Sequence, residues 1–148
     1  MSVVSIKKNK IIRDAFYELF KPMLQKRIVQ KVFKTDQAIT RPNVELPCVC
    51  VFLDEGEEIE QEKLDNLDEL TVRTSVVIKV LTQIPSSDLG DDVVDDIAQQ
   101  ALDLLNTDLT LGGILNNEIN ITDYFYERDS NQMYTALVFG SNIEFYDD

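Results

Sequence analysis

The strongest constraint on this chain is a long run of alternation at residues 70–84. Leu70, Val72, Thr74, Val76, Ile78, Val80, Thr82 and Ile84 fall on one face of an extended chain. Thr71, Arg73, Ser75, Lys79 and Gln83 fall on the other, interrupted by Val77 and Leu81. A period of two over that length specifies a β-strand with one buried face. A second apolar strand pattern, 46–53, precedes it. The two are joined by 54–69, DEGEEIEQEKLDNLDE, which carries nine acids and one lysine. The connection exceeds an ordinary hairpin loop. Ile59, Leu64, Leu67 and Leu70 recur through it and offer apolar side chains to something. The expectation is a long acidic hairpin arm that orders against a neighbouring subunit, set against the plainer alternative of a solvated loop.

The flanking segments supply helices and further strands. Over 6–20, Ile12, Ala15, Phe16, Leu19, Phe20 and, just beyond, Met23 keep helical spacing opposite Lys8, Lys10, Arg13, Asp14 and Glu18. Pro22 is expected to end or kink this helix, because it lacks an amide proton and crowds the preceding turn. Residues 27–34 read as a short edge strand, although Ile28, Val29, Val32 and Phe33 also fit a helix, and 36–46, with Pro42 and Asn43, as a loop. Ser86 or Ser87 is placed to cap a helix over 88–105. Leu89, Val93, Ile97, Ala101 and Leu104 form its apolar stripe, widened by Val94, Ala98, Leu102 and Leu105. Gly112-Gly113 marks a break. Two final strands, 118–128 and 133–146, flank a turn at 129–132, with Met133, Thr135, Leu137, Phe139, Ile143 and Phe145 on one face of the last. The fold class is α+β: a two-layer arrangement in which two long helices cover a four- to five-stranded, mostly antiparallel, mixed sheet. Neither repeats nor a linker interrupt it, so residues 1–148 are expected to form one domain.

The chain has 148 residues, 44% of them hydrophobic, enough for a sizeable core. No apolar run reaches the roughly 20 residues that span a membrane, and the N-terminus lacks the pattern of a signal peptide, so the cytoplasm is the default compartment and no membrane partner is expected. The net charge is −13, and it is segregated. Residues 1–41 hold ten of the fourteen basic residues and three acids; residues 42–148 hold the other four bases and 24 acids. The larger part of the chain would repel phosphates. One reading is a solvated acidic surface with a basic first helix. The sharper one is a protomer with two unlike surfaces, suited to the head-to-tail contacts that close into rings.

Chemistry finds little to work with. Histidine is absent, which removes the commonest general base and the usual zinc ligand. Cys48 and Cys50 lie two apart on a strand, with no second pair to complete a thiolate metal site, and read as small core residues. Asp91/Asp95 and Asp92/Asp96 lie four apart on one helix. They fall short of the oxygen set a hard cation needs and read as a solvated face, which leaves weak magnesium assistance of assembly as the one cofactor role. Gly112-Gly113 is not followed by a phosphate-binding lysine. Asn120-Ile121-Thr122 matches a glycosylation sequon by chance. No set of residues meets the roles of an active site, and an enzyme is not expected.

The run LPCVCVFLDEGEEIEQEKLDNLDELTVRTSVVIKVLTQIPSSDLGDD resembles the tail-terminator proteins, the minor tail protein U family, of long-tailed, lambda-like bacteriophages. The matching features are Pro47 before Val49, Val51 and Leu53; the acidic arm with Glu57, Glu58, Glu62 and Leu64; the strand with Val76, Ile78 and Val80; and Pro85, Asp88 and Leu89 opening a helix. Tyr124-Phe125-Tyr126-Glu127-Arg128-Asp129, a turn, and a last strand ending near Tyr146 complete it, so the likeness covers about residues 41–146. It implies a non-enzymatic virion protein, assembled in the host cytoplasm, that forms a hexameric ring. The ring would cap the tail tube, end its polymerisation and present a surface to the head-tail connector or head completion protein. DNA would pass through the lumen without specific binding. The residues expected at subunit or partner interfaces are Lys7, Lys8, Lys10, Arg13, Lys31 and Lys34 on the basic side. On the arm they are Asp54, Glu55, Glu57, Glu58, Glu60, Glu62 and Leu64. A competing function of another class is an acidic inhibitor or adaptor that mimics nucleic acid and binds a basic partner.

Overall fold

The computed structural model describes residues 3–37, 45–59, 70–83, 88–129 and 134–147. Two helices and five strands follow in the order α1 (Asn9–Gln25), β1 (Lys31–Phe33), β2 (Cys48–Ile59), β3 (Leu70–Thr82), α2 (Asp88–Thr107), β4 (Tyr124–Arg128) and β5 (Thr135–Asp147). The strands form one mixed sheet in the order β1-β2-β3-β5-β4. Only β1 runs parallel to its neighbour; the other three pairings are antiparallel. The α+β class and the mixed sheet stand, with five strands where four to five were expected. Among the described residues no helix is long and apolar enough to cross a membrane.

The alternation read at 70–84 positions the core. Val72, Val76, Ile78 and Val80 of β3 are buried in one cluster with Val49 and Val51 of β2 and Phe139, Ile143 and Phe145 of β5. Ile12, Phe16, Phe20 and Met23 of α1 and Val94, Ile97, Ala98, Ala101 and Leu105 of α2 enter the same cluster. The deepest stripe of α2 thus joins Ala101, expected in it, to Val94, Ala98 and Leu105, expected only to widen it; Ile97 is also buried, while Val93, Leu102 and Leu104 are partly buried at its margin. Leu89 and Met133, and the proposed caps Ser86 and Ser87, lie outside what is described of the side chains. So do Ile84, Pro85, Pro42, Asn43 and the turn residues 130–132.

Several boundaries differ from expectation, each for a local reason. Pro22 does not end α1: the helix continues to Gln25. The proline falls in the last turn, where a missing donor interrupts little of the remaining helix. Arg27, at φ 59°, then turns the chain, and the Ile28 amide donates to the Met23 carbonyl at 2.9 Å. β4 begins at Tyr124 rather than 118, because the preceding segment is pinned elsewhere. The Asn116 amide donates to the Glu144 carbonyl at 2.7 Å, the Ile119 amide to the Leu109 carbonyl at 2.8 Å, and Leu115 and Ile119 are buried. The Gly112-Gly113 break is a turn with φ of 66° and 89°. The left-handed region suits glycine there, and Asp108 Oδ1 accepts the Gly112 amide at 2.9 Å.

The opposite face of the sheet carries a smaller buried cluster of Cys48, Cys50, Leu81 and Ala136. Lys79, also on this face, is buried. Its Nζ donates to the Gln37 carbonyl at 2.9 Å and pairs with Asp36 at 3.2 Å and Glu127 at 3.5 Å, so the chain after β1 is tied across this end of the sheet. Further along the same face stands Gly140, opposite Val77. A Cβ on Gly140 would lie 2.7 Å from the Val76 carbonyl oxygen, so β3 and β5 would have to separate to admit it. Gly140→Ala is expected to cost about 1–3 kcal/mol in urea denaturation; an unchanged midpoint would show that the strands adjust freely.

Candidate assembly surface

The acidic connection does not begin where the hydrophobic pattern stops. Asp54 to Ile59 belong to β2, and Gly56, Glu57, Glu58 and Ile59 pair with Thr74, Arg73, Val72 and Thr71. A register shift between Leu53 and Gly56 accommodates Asp54 and Glu55, as a bulge that bends the strand and turns these two side chains outward. The first six residues expected in a free arm are therefore sheet. The alternating strand opposite supplies backbone partners whatever the charge of the side chains. Glu60, Glu62 and Leu64 lie outside the described residues.

The ribbon's charge is partly balanced from within. Arg73 donates to Glu144 at 2.8 and 3.1 Å and lies 3.8 Å from Glu57, joining carboxylates from both neighbouring strands. Sequence reasoning named neither Arg73 nor Glu144 as site residues. The one available signal was that Arg73 and Lys79 are the only bases on the polar side of 70–84. Asp54, Glu55 and Glu57 are exposed and Glu58 is half-buried.

On the basic side, Asp14 sits between Lys10 at 2.8 Å and Lys34 at 2.9 Å. Hydrogen bonds from these two ammonium groups hold its carboxyl down at about 2. The fold thus joins Lys10 and Lys34 through a shared acid, and Lys34 also lies over the Tyr17 ring at 5.7 Å. Lys31 stands apart on the edge strand, 5.8 Å from the Phe33 ring centroid. Lys7 and Lys8 lead into α1. Arg13 lines a shallow groove of about 230 Å³ with Val4, Ser5, Asn9, Asp54 and Glu55. The start of the basic helix therefore adjoins the root of the acidic ribbon within one chain.

Two of the α2 aspartates, Asp91 and Asp95, are bound into the fold, while Asp92 and Asp96 lie exposed. Arg128 donates to both oxygens of Asp91 at 3.0 Å, and the Tyr126 hydroxyl donates to Asp95 at 2.6 Å. The Asp95 carboxylate, which favours the protonated phenol, raises Tyr126 to about 12. These contacts fasten β4 to α2 and occupy the Asp91/Asp95 pair. Among the described residues no three side chains gather as metal ligands. The Cys48 and Cys50 sulfurs are 3.9 Å apart, both free and buried. The contact with Cys50 and burial both push the Cys48 thiol far up. Both cysteines read as core residues, in keeping with the sequence.

No curated protein matches the sequence. A chain from the solved structure described as the virion of a native gene transfer agent (GTA) particle superposes with a TM-score of 0.60, covering 97% of this chain and 100% of that one. At 9% identity the likeness shows the fold. A family profile described as phage minor tail protein U matches residues 7–145, spanning α1 through β5. The chain belongs to the phage minor tail protein U family.

Proposed function

We propose that this protein is a tail terminator: a single-domain subunit, its two helices layered on the sheet, that closes head-to-tail into a ring, in six copies, on the end of the tail tube. The ring stops addition of tube subunits on one face and accepts the head-tail connector or head completion protein on the other, while DNA passes through its lumen without specific binding. The role is structural rather than enzymatic, and the protein ends in the virion after assembly in the host cytoplasm. Family membership supports a structural role in a phage tail.

The observation that carries the ring is the segregated charge. A run of bases from Lys7 to Lys34 and an acidic ribbon from Asp54 onward leave each copy with surfaces of opposite sign. Contacts between unlike surfaces are heterologous and close only as a ring or run on as a filament. The arm, continuing from β2 through Glu60, Glu62 and Leu64, orders against the neighbouring copy in this reading, with magnesium at most moderating repulsion among acids.

Sedimentation and negative-stain microscopy test it. Rings with a central hole are expected, and raising salt from about 0.05 to 0.5 M should weaken them as screening shortens the reach of charge. Replacing Glu57, Glu58, Glu60 and Glu62 together with glutamine should do the same at low salt. Rings that survive both treatments unchanged would remove the arm from the contact; a protein that stays monomeric at every concentration would remove the ring.

A further inference from the structure

On the face of the sheet turned away from the helices, a trough of about 610 Å³ runs from β2 to β4. Its floor is set by small residues: Gly140 stands opposite Val77, and Ser75 opposite Asn142. Because Gly140 carries no side chain, the middle of the floor is open. Asp54 stands at one end and Asp123 at the other. Phe125, 59% exposed, forms part of the wall beside the free edge of β4. Among the described residues that line the trough none is basic. It therefore suits an apolar side chain flanked by cations.

The same chain carries such an element. Val3 is 84% exposed, Ile6 72% and Ile11 53%, an unusual concentration of bare aliphatics. Residues 3–13 contain Lys7, Lys8, Lys10 and Arg13 and no acid. Within its own chain this segment meets the trough only at Asp54, which borders both the groove and the trough. The groove it lines includes Val72 and Thr74, which point to the helix side of β3, whereas Ser75 and Val77 of the trough point to the other side. The Phe125 and Val77 part of the trough lies on the face away from this segment, so the two meet there between copies.

We infer that the apolar, basic segment 3–11 of one copy docks in the Phe125 trough of the next. The inference rests on the ring reading above and names the surface that closes it. Charge and shape agree: aliphatic side chains meet Phe125 and Val77, and the lysines meet Asp54 and Asp123. The contact is directional, because the inserted segment and the receiving trough are different parts of each protomer.

Two exposed substitutions test it by complementation. Ile6→Asp spoils the insert and leaves the trough; Phe125→Asp spoils the trough and leaves the insert. Each variant alone should be monomeric in analytical ultracentrifugation where the unaltered protein forms rings, its association weakened at least about tenfold. A one-to-one mixture should give a dimer and nothing larger, since one good contact survives. Asp123→Lys should weaken rings without an apolar change, and unchanged circular dichroism would show all three folded. Rings persisting in either aspartate variant, or a mixture that stays monomeric, would overturn the docking and leave the ring reading standing. Intact rings that lose binding to the tail-tube protein would assign the trough to that partner instead. An unaltered protein that never associates would overturn both.

Discussion

Converting both Asp36 and Glu127 to amides is expected to destabilise the protein by about 3 kcal/mol, while Lys79→Met is expected to change stability by less than about 1 kcal/mol. The asymmetry follows from where each group sits. Lys79 is buried, with a side-chain exposure of 6%, whereas Asp36 and Glu127 keep 55% and 40% of theirs. Removing both negative charges leaves a cation in a buried site with only neutral oxygens, the Gln37 carbonyl and the two amides, among the described residues to face it. Removing the cation returns the carboxylates to water they already touch, and methionine fills the space beside Cys50 and Val138, which flank Lys79 in the sheet. Urea unfolding at neutral pH reads the difference. A Lys79→Met variant as unstable as the double amide would mean that the ion cluster contributes net stability rather than satisfying a charge. The same cluster ties residues 36–37 over the sheet, so the double amide should also expose Cys48 and Cys50 to thiol reagents sooner than Lys79→Met does.

Phe16→Ala is expected to cost about 3–5 kcal/mol, the usual range for truncating a fully enclosed aromatic side chain. Phe16 has no exposed surface, and Ile12 and Phe20 one turn to either side have none either. Such surroundings are close-packed and collapse poorly around a lost ring. Tyr17, the next residue, is only partly buried at the core margin, and Tyr17→Ala should cost markedly less. Equal losses at the two positions would mean that α1 is not anchored by the face described. Because α1 carries Lys10, Arg13 and Asp14, loosening it should also weaken assembly before the protein unfolds.

The elements whose signal is local were legible in the sequence. The alternation of β3 and the helical stripes of α1 and α2 depend on spacing that each segment carries itself. The edge strand expected over 27–34 forms only at Lys31–Phe33. Its mixed spacing, which also fits a helix, did not mark its bounds, because Arg27 turns the chain and the Ile28 and Val29 amides donate back to Met23. Its parallel pairing with β2 was not legible. What failed depends on partners distant in sequence. Glu57 and Glu58 look like loop, yet Arg73 and Val72 hold them in a ladder. Residues 118–123 look like strand, yet Ile119 and Asn116 are claimed by Leu109 and Glu144. Among the expected interface residues, Lys10, Arg13 and Lys34 were proposed from charge alone. That Lys10 and Lys34 share Asp14, and that Arg13 lies beside Asp54, required the fold. The exposure of Phe125 was not legible, because only the position of β4 at the edge of the described sheet leaves it bare.

The position of β5 has a consequence for synthesis. It lies between β3 and β4 and pairs with β3 along its whole length, from Leu70 with Asp147 to Thr82 with Thr135. A nascent chain that has not yet released residues 135–147 from the ribosome holds β3 and β4 with an empty lane between them. Closing that lane means joining segments more than fifty residues apart, as Thr82 and Thr135 are, and such long-range pairing is slow because loop entropy is lost before contacts form. Half-made subunits thus lack the floor of the trough, which Gly140 and Asn142 supply from β5. In the docking proposed above, competence to assemble would arrive with β5, because a copy without it would lack the proposed receiving surface.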